Sequence, residues 1–143
     1  ALVIATRDWH PPNHISFNIR GGPWPPHCIQ GTKGAEFHPL LELPSDSIVI
    51  SKAIDENKEA YSGFDGTELN VVLKAQGIRR VFVCGVATEY CVKATAIDAV
   101  RLGYQTHILI DAIKGISKVG SEAAIDELLN SGIIALEIKD FTK

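Results

Sequence analysis

The chain has no methionine among its 143 residues. It opens at Ala1-Leu2-Val3-Ile4-Ala5, inside an apolar strand-like run with no loop or cap before it, so an N-terminally incomplete domain is expected. It has no excess of positive charge. Lys and Arg number 14 against 17 Asp and Glu, and the net charge of −3 offers no basic field for nucleic acid. No apolar run approaches the roughly 20 residues of a membrane span. The opening residues carry no basic leader and are too short for a signal peptide. Cysteine is scarce and odd in number, three in all, which argues against a disulfide framework and for a reducing cytoplasm.

What is present fits one domain over 1–143. A chain of this length buries about two-thirds of its unfolded surface, so it needs no disulfide or metal merely to fold. Short apolar, β-branched runs predict strands at Ala1–Thr6, Ser47–Ser51, Arg80–Gly85, Gln105–Asp111 and Ile133–Ile138. Helical spacing with glycine stops predicts helices at Thr67–Gln76, Glu89–Leu102 and Ser121–Ser131. Strands alternating with helices imply right-handed crossovers and a parallel sheet covered on both faces. His10–His38 differs: it is rich in Pro, Gly, His and Asn and reads as a long loop. Loops of that length in compact domains are functional or disordered, and Trp9 and Trp24 argue against disorder.

Sites in parallel sheets lie at the carboxyl ends of strands, and three clusters fall there. The first is Gly85-Val86-Ala87-Thr88-Glu89-Tyr90-Cys91, which joins a strand to a helix. A cysteine in the first helical turn gains thiolate character from the dipole and unpaired N–H groups, and those groups also offer oxyanion donors. It equally fits a buried cysteine packing as a small hydrophobe. Cys84 and Cys28 read as structural. The second cluster is Ser51-Lys52. A lysine there either lowers a neighbouring thiol's pKa or is an ordinary solvated loop lysine. The third is Asp8-Trp9-His10 with His27. Side chains at i and i+2 of an extended segment point the same way. A third ligand from the loop would complete a set for zinc, iron or manganese, whereas Asp-x-His alone reads as surface residues.

Together these residues resemble the nicotinamidase (pyrazinamidase) branch of the isochorismatase-like cysteine hydrolases. The matching stretches are Thr6-Arg7-Asp8-Trp9-His10-Pro11, Gly22-Pro23-Trp24-Pro25-Pro26-His27-Cys28, Gly34-Ala35-Glu36-Phe37, Ala60-Tyr61-Ser62-Gly63-Phe64 and Gly85 to Val92, in family order. The resemblance implies a three-layer α/β/α fold with a mostly parallel sheet. It implies Cys91 as nucleophile with Lys52 beside it. Asp8, His10 and His27 would be ligands of one divalent metal, zinc first. Val86-Ala87 would match the family's cis peptide bond, with the N–H groups of Ala87 and Cys91 in the oxyanion hole. Trp24, Tyr90, Tyr61 and Val86 would line a pocket for a flat ring, where ordinary packing is the alternative. The implied activity is hydrolysis of nicotinamide to nicotinate and ammonia through a cysteine thioester, with the metal orienting the pyridine ring, in NAD salvage. The implied partner is a small aromatic amide, and homo-oligomers are a family habit.

One departure matters. The family's general base is an aspartate on its first strand, and nothing like that motif precedes Asp8. A strand and its crossover helix, about forty residues, are expected to be missing. Asp111, ending a strand, matches a non-catalytic family position. The nearest rival is a superfamily amidase acting on a carbamoyl group or an aliphatic amide, and the metal set counts against it. Isochorismatase itself cleaves a vinyl ether and lacks this cysteine. A catalytically dead binding module on the same fold is the rival from another class.

Overall fold

The computed structural model of the chain describes residues 1–141. The chain divides into two compact units, Ala1–Glu68 and a second beginning at Leu69.

In the first unit β1 (Ile4–Asp8) and β2 (Ile48–Lys52) pair in parallel, in a register running from Ile4 opposite Ile48 to Asp8 opposite Lys52. Both strands end later than their apolar residues indicate. Polar residues prolong the ladder because they bond across it: Arg7 Nε donates to Ser51 Oγ at 3.0 Å and Trp9 N to Lys52 O at 3.0 Å. β1 is half-exposed, not the buried strand expected, because among the described residues it has a hydrogen-bonded neighbour on one side only.

The segment between the strands is the expected loop, but it is packed. Its only helical pieces among the described residues are 3-10 turns at Asn18–Arg20 and Lys33–Ala35. Phe17 is fully buried beneath it. The Arg20 guanidinium pins the loop by donating to Asn13 O, Glu56 O and Asn57 Oδ1 at 2.9, 3.1 and 3.0 Å. Gly22 is required by a close approach: a Cβ there would collide with the Ser16 carbonyl.

The second unit runs α1 (Leu69–Ala75), β3 (Arg80–Val86), a π-turn (Thr88–Val92), α2 (Lys93–Arg101), β4 (Gln105–Lys114), α3 (Lys118–Asn130), β5 (Ile134–Leu136) and α4 (Ile138–Phe141). Its sheet has the order β3-β4-β5, all parallel. β4 is central and buries Thr106, His107, Ile108 and Leu109 consecutively, the continuous pattern of a parallel strand covered on both faces. Ala96, Ile108, Leu128 and Ile133 form the core. β3, also expected to be buried, is an edge strand, and Val86 at its end is 72% exposed.

Three boundaries move for identifiable reasons. α3 begins at Lys118, not Ser121, because Ser117 caps it by accepting from Gly120 N at 3.0 Å. β5 stops at Leu136 because the short, unexpected α4 follows, its first N–H held by Asp111. The helix expected from Glu89 starts as the π-turn and becomes α-helical only at Lys93. No helix among the described residues is long and apolar enough to cross a membrane.

Candidate functional site

The first unit assembles a cluster of ligating groups. Asp8 ends β1 and His10 follows two residues on, where it bridges to Ile29. His27 comes from the loop. Asp8, His10 and His27 each offer one ligand atom, all within 4.8 Å of one another. Both imidazoles are set for ligation. His10 Nδ1 bonds the Ala53 carbonyl at 3.0 Å, and His27 Nδ1 bonds the Pro25 carbonyl at 2.7 Å. A carbonyl only accepts, so each Nδ1 carries the proton and each Nε2 keeps its lone pair. Burial is the main force that holds the His10 pKa below its ordinary value of 6.5. The Ala53 bond and Asp8 push it the other way, and His14 and His27 add to the lowering. The result is the neutral ring a metal needs. One carboxylate and two imidazole lone pairs fit zinc, iron or manganese.

Lys52 is no solvated loop lysine, being 3% exposed. The β1–β2 register sets it opposite Asp8, and its Nζ donates to Asp8 Oδ1 at 2.5 Å and to Ala60 O at 3.0 Å. A buried ammonium needs such partners. Trp24 and Tyr61 belong to the same neighbourhood. Trp24 Nε1 donates to the Tyr61 hydroxyl at 3.0 Å, and the Trp24 ring lies edge-on to His27 at 6.3 Å.

His14 and Ala53 escaped the sequence reading, and Cys28 was read only as structural. His14 is fully buried and stacks on His10, ring centroids 4.1 Å apart and 19° from parallel. Its Nε2–H donates to Lys58 O at 2.9 Å and its Nδ1 accepts from Ser16 Oγ at 2.7 Å. Both nitrogens are engaged, so His14 supports the His10 ring and stays outside the ligand set. Its spacing from His10 was visible, but nothing in the pattern separates a stacking ring from a ligand. Cys28 and Ala53 are the non-glycine residues with positive φ among those described, at 48° and 50°. Each holds His10, Cys28 O accepting its N–H at 2.9 Å and Ala53 O its ring. That conformation costs roughly 1–2 kcal/mol per residue and gathers at functional sites. Neither residue type signals it in sequence.

The second unit carries Val86, Ala87, Tyr90 and Cys91. The Val86–Ala87 peptide is cis, as the resemblance implied. Ala87 O accepts from Tyr90 N at 3.1 Å and from Val92 N at 3.2 Å, and the second bond has the π spacing. Cys91 thus stands half-buried in a π-turn, not in the first α-turn expected of it. Such turns are rare and concentrate at functional sites. Tyr90 beside it is half-buried too. Cys84 reaches solvent on β3, yet the protein around it removes enough water to push its thiol pKa up. Asp111 is engaged elsewhere: its Oδ1 and Oδ2 accept from Ile138 N at 3.0 and 3.2 Å.

The sequence model of the Isochorismatase domain matches residues 1–140. This chain belongs to the isochorismatase family. As a member it is 40% identical, over 92% of its length, to the nicotinamidase of Acinetobacter baylyi, and it spans 72% of that protein. The pyrazinamidase of Pyrococcus horikoshii, solved in complex with zinc, superposes with a TM-score of 0.93 at 54% identity. That match covers 96% of this chain and 76% of the other. PnC1 of L. infantum, solved in complex with nicotinate, superposes with a TM-score of 0.91 at 40% identity, covering 95% and 71%. The expected parallel α/β fold of isochorismatase-like hydrolases is therefore the fold of this chain.

Proposed function

We propose that this protein hydrolyses nicotinamide to nicotinate and ammonia through a thioester on Cys91, in cytoplasmic NAD salvage. The observation that carries the reading is the Asp8, His10 and His27 set with both Nε2 lone pairs free for a ligand. The zinc and nicotinate held by the two solved relatives support it. So does the family match across both units, which favours one hydrolase domain. The odd count of three cysteines agrees with a reducing compartment.

Asp8, His10 and His27 would hold one divalent metal, zinc first. When bound it supplies a Lewis acid that orients the pyridine ring. The His14 stack and the Ala53 and Pro25 carbonyls keep the ligand rings in place. Lys52 fixes the Asp8 carboxylate and is assigned to hold positive charge by the nucleophile. Trp24, Tyr61, Tyr90 and Val86 are assigned to ring contact. The Cys91 thiolate adds to the carboxamide carbon, and the oxyanion takes the N–H groups of Ala87 and Cys91. The C–N bond breaks as the nitrogen receives the proton the thiol released, and ammonia leaves. Water then cleaves the thioester and returns nicotinate and free thiol. Asp111 does not carry that proton, since its carboxylate caps α4.

The test is ammonia release from nicotinamide by the intact protein and its Cys91→Ala variant. Turnover by the parent and none by the variant is expected. Equal turnover by both would sink the nucleophile assignment.

A further inference from the structure

Glu89 lies two residues before Cys91 on the same π-turn, and its carboxylate is received by a shaped cradle at the start of α3. Oε1 accepts from Ile116 N at 2.6 Å and from Ser117 N at 3.2 Å, and Ser121 Oγ lies 3.3 Å from Oε2. Two glycines make the room. A Cβ on Gly115 would collide with Glu89 Oε2 and Ser121 Oγ. A Cβ on Gly120 would come within 2.8 Å of Ser117 Oγ and 3.6 Å of Glu89 Cγ. The positive end of α3 favours an anion at this place. Burial pushes the Glu89 pKa up, but the N–H bonds from Glu89 itself, Ile116 and Ser117, with the Ser121 hydroxyl, outweigh it and hold the pKa below 4.5. The carboxylate is therefore ionised near neutrality.

The turn needs such an anchor. Ala87, which precedes it, makes no side-chain cap bond. We infer that Glu89 is a positioning residue: its carboxylate clamps the Cys91 turn to the start of α3 and so sets the direction of the thiol. The inference rests on the reading of Cys91 as nucleophile. Glu89 itself need touch no substrate.

The test uses the intact protein with Glu89→Ala, Glu89→Gln and Gly115→Ala, and with Glu122→Gln on exposed α3 surface as control. Two rates are read: kcat and KM for nicotinamide, and alkylation of Cys91 by iodoacetamide across pH. Glu89→Ala should lower kcat about ten- to hundredfold, since small misplacements of a reacting group have effects of that size. KM should stay within about threefold. Cys91 alkylation should slow and its pH profile shift. Glu89→Gln keeps an oxygen for the Ile116 and Ser117 N–H groups and should restore most of both rates. Gly115→Ala should reproduce the loss by displacing the carboxylate, and it decides the matter should Glu89→Ala fail to fold. Parent-like kcat and alkylation in Glu89→Ala and Gly115→Ala, or no recovery in Glu89→Gln, would overturn the clamp. Alkylation needs no substrate, so it tests the clamp even where nicotinamide is not turned over, an outcome that defeats only the proposed function.

Discussion

Residues 10–38 hold their chemistry with rings and carbonyls, whereas residues 80–101 hold theirs with repeating backbone. In the first segment, His10, His14, Phe17 and His27 pack against one another at centroid distances of 4.1 to 5.8 Å. Backbone carbonyls fix the ring nitrogens, and two strained residues supply carbonyls to His10. In the second, a parallel strand runs through a π-turn into a helix, and one local irregularity presents Cys91. The first arrangement combines ring contacts within the loop with carbonyls from distant residues, Ala53 for His10 and Lys58 for His14. The second depends on hydrogen bonds between near neighbours and on one carboxylate that reaches α3. Loss of a single contact should therefore damage the two segments differently.

The largest expected effect separates them by readout. Cys91→Ala should lower nicotinamide turnover about ten-thousandfold or more, as loss of a nucleophile does, while metal content measured on the purified protein stays at the parent level. His10→Ala should remove the metal, and its turnover should fall at least about a hundredfold. Metal retained in His10→Ala would break the comparison. Chelation should mimic His10→Ala in the parent, with zinc restoring activity.

Core truncation should strike the regular region without touching the ligand set. Ile108 is fully buried on β4, and Ile108→Ala should cost about 2–5 kcal/mol in denaturant unfolding. A smaller effect is expected at the strained loop contact. Ala53→Gly relieves positive φ but adds unfolded-chain entropy, so stability should change by less than about 1 kcal/mol. A much larger loss would mean that the Ala53 methyl, not its carbonyl, holds His10.

The smallest effect is a pH dependence. Glu89 has a folded pKa below its unfolded value of 4.5. Its contribution is thus fully present above pH 4.5 and is lost as the pH falls through the lower folded value. The stability difference between the parent and Glu89→Gln should shrink over that acid range. A difference that stays constant there would mean the ionised carboxylate is not what binds the cradle.

Much of the regular region was legible because its signals are local. β4 and β5 read from short apolar runs, and α1 from spacing with its Gly77 stop. The missed start of α3 was legible too, since Ser117 is a capping residue. The π-turn was not, because no residue type separates it from an α-turn. Asp8, His10 and His27 were named from their types and from resemblance, yet their convergence depends on the loop's path. The Lys52–Asp8 pair depends on strand register, which a single strand's sequence does not carry.

By itself, then, the sequence determined the alternation of strands and helices, the parallel class and the chemical inventory, because periodicity and side-chain type are local properties. Only the tertiary structure decided which nitrogen of each histidine is free, that His14 supports and does not ligate, that Lys52 is buried against Asp8, and that Glu89 reaches the start of α3. Most of the contacts behind those outcomes join distant residues, Ala53 to His10, Lys58 to His14, Lys52 to Asp8 and Ile116 to Glu89, and they exist only once the chain has closed the loops that bring them together.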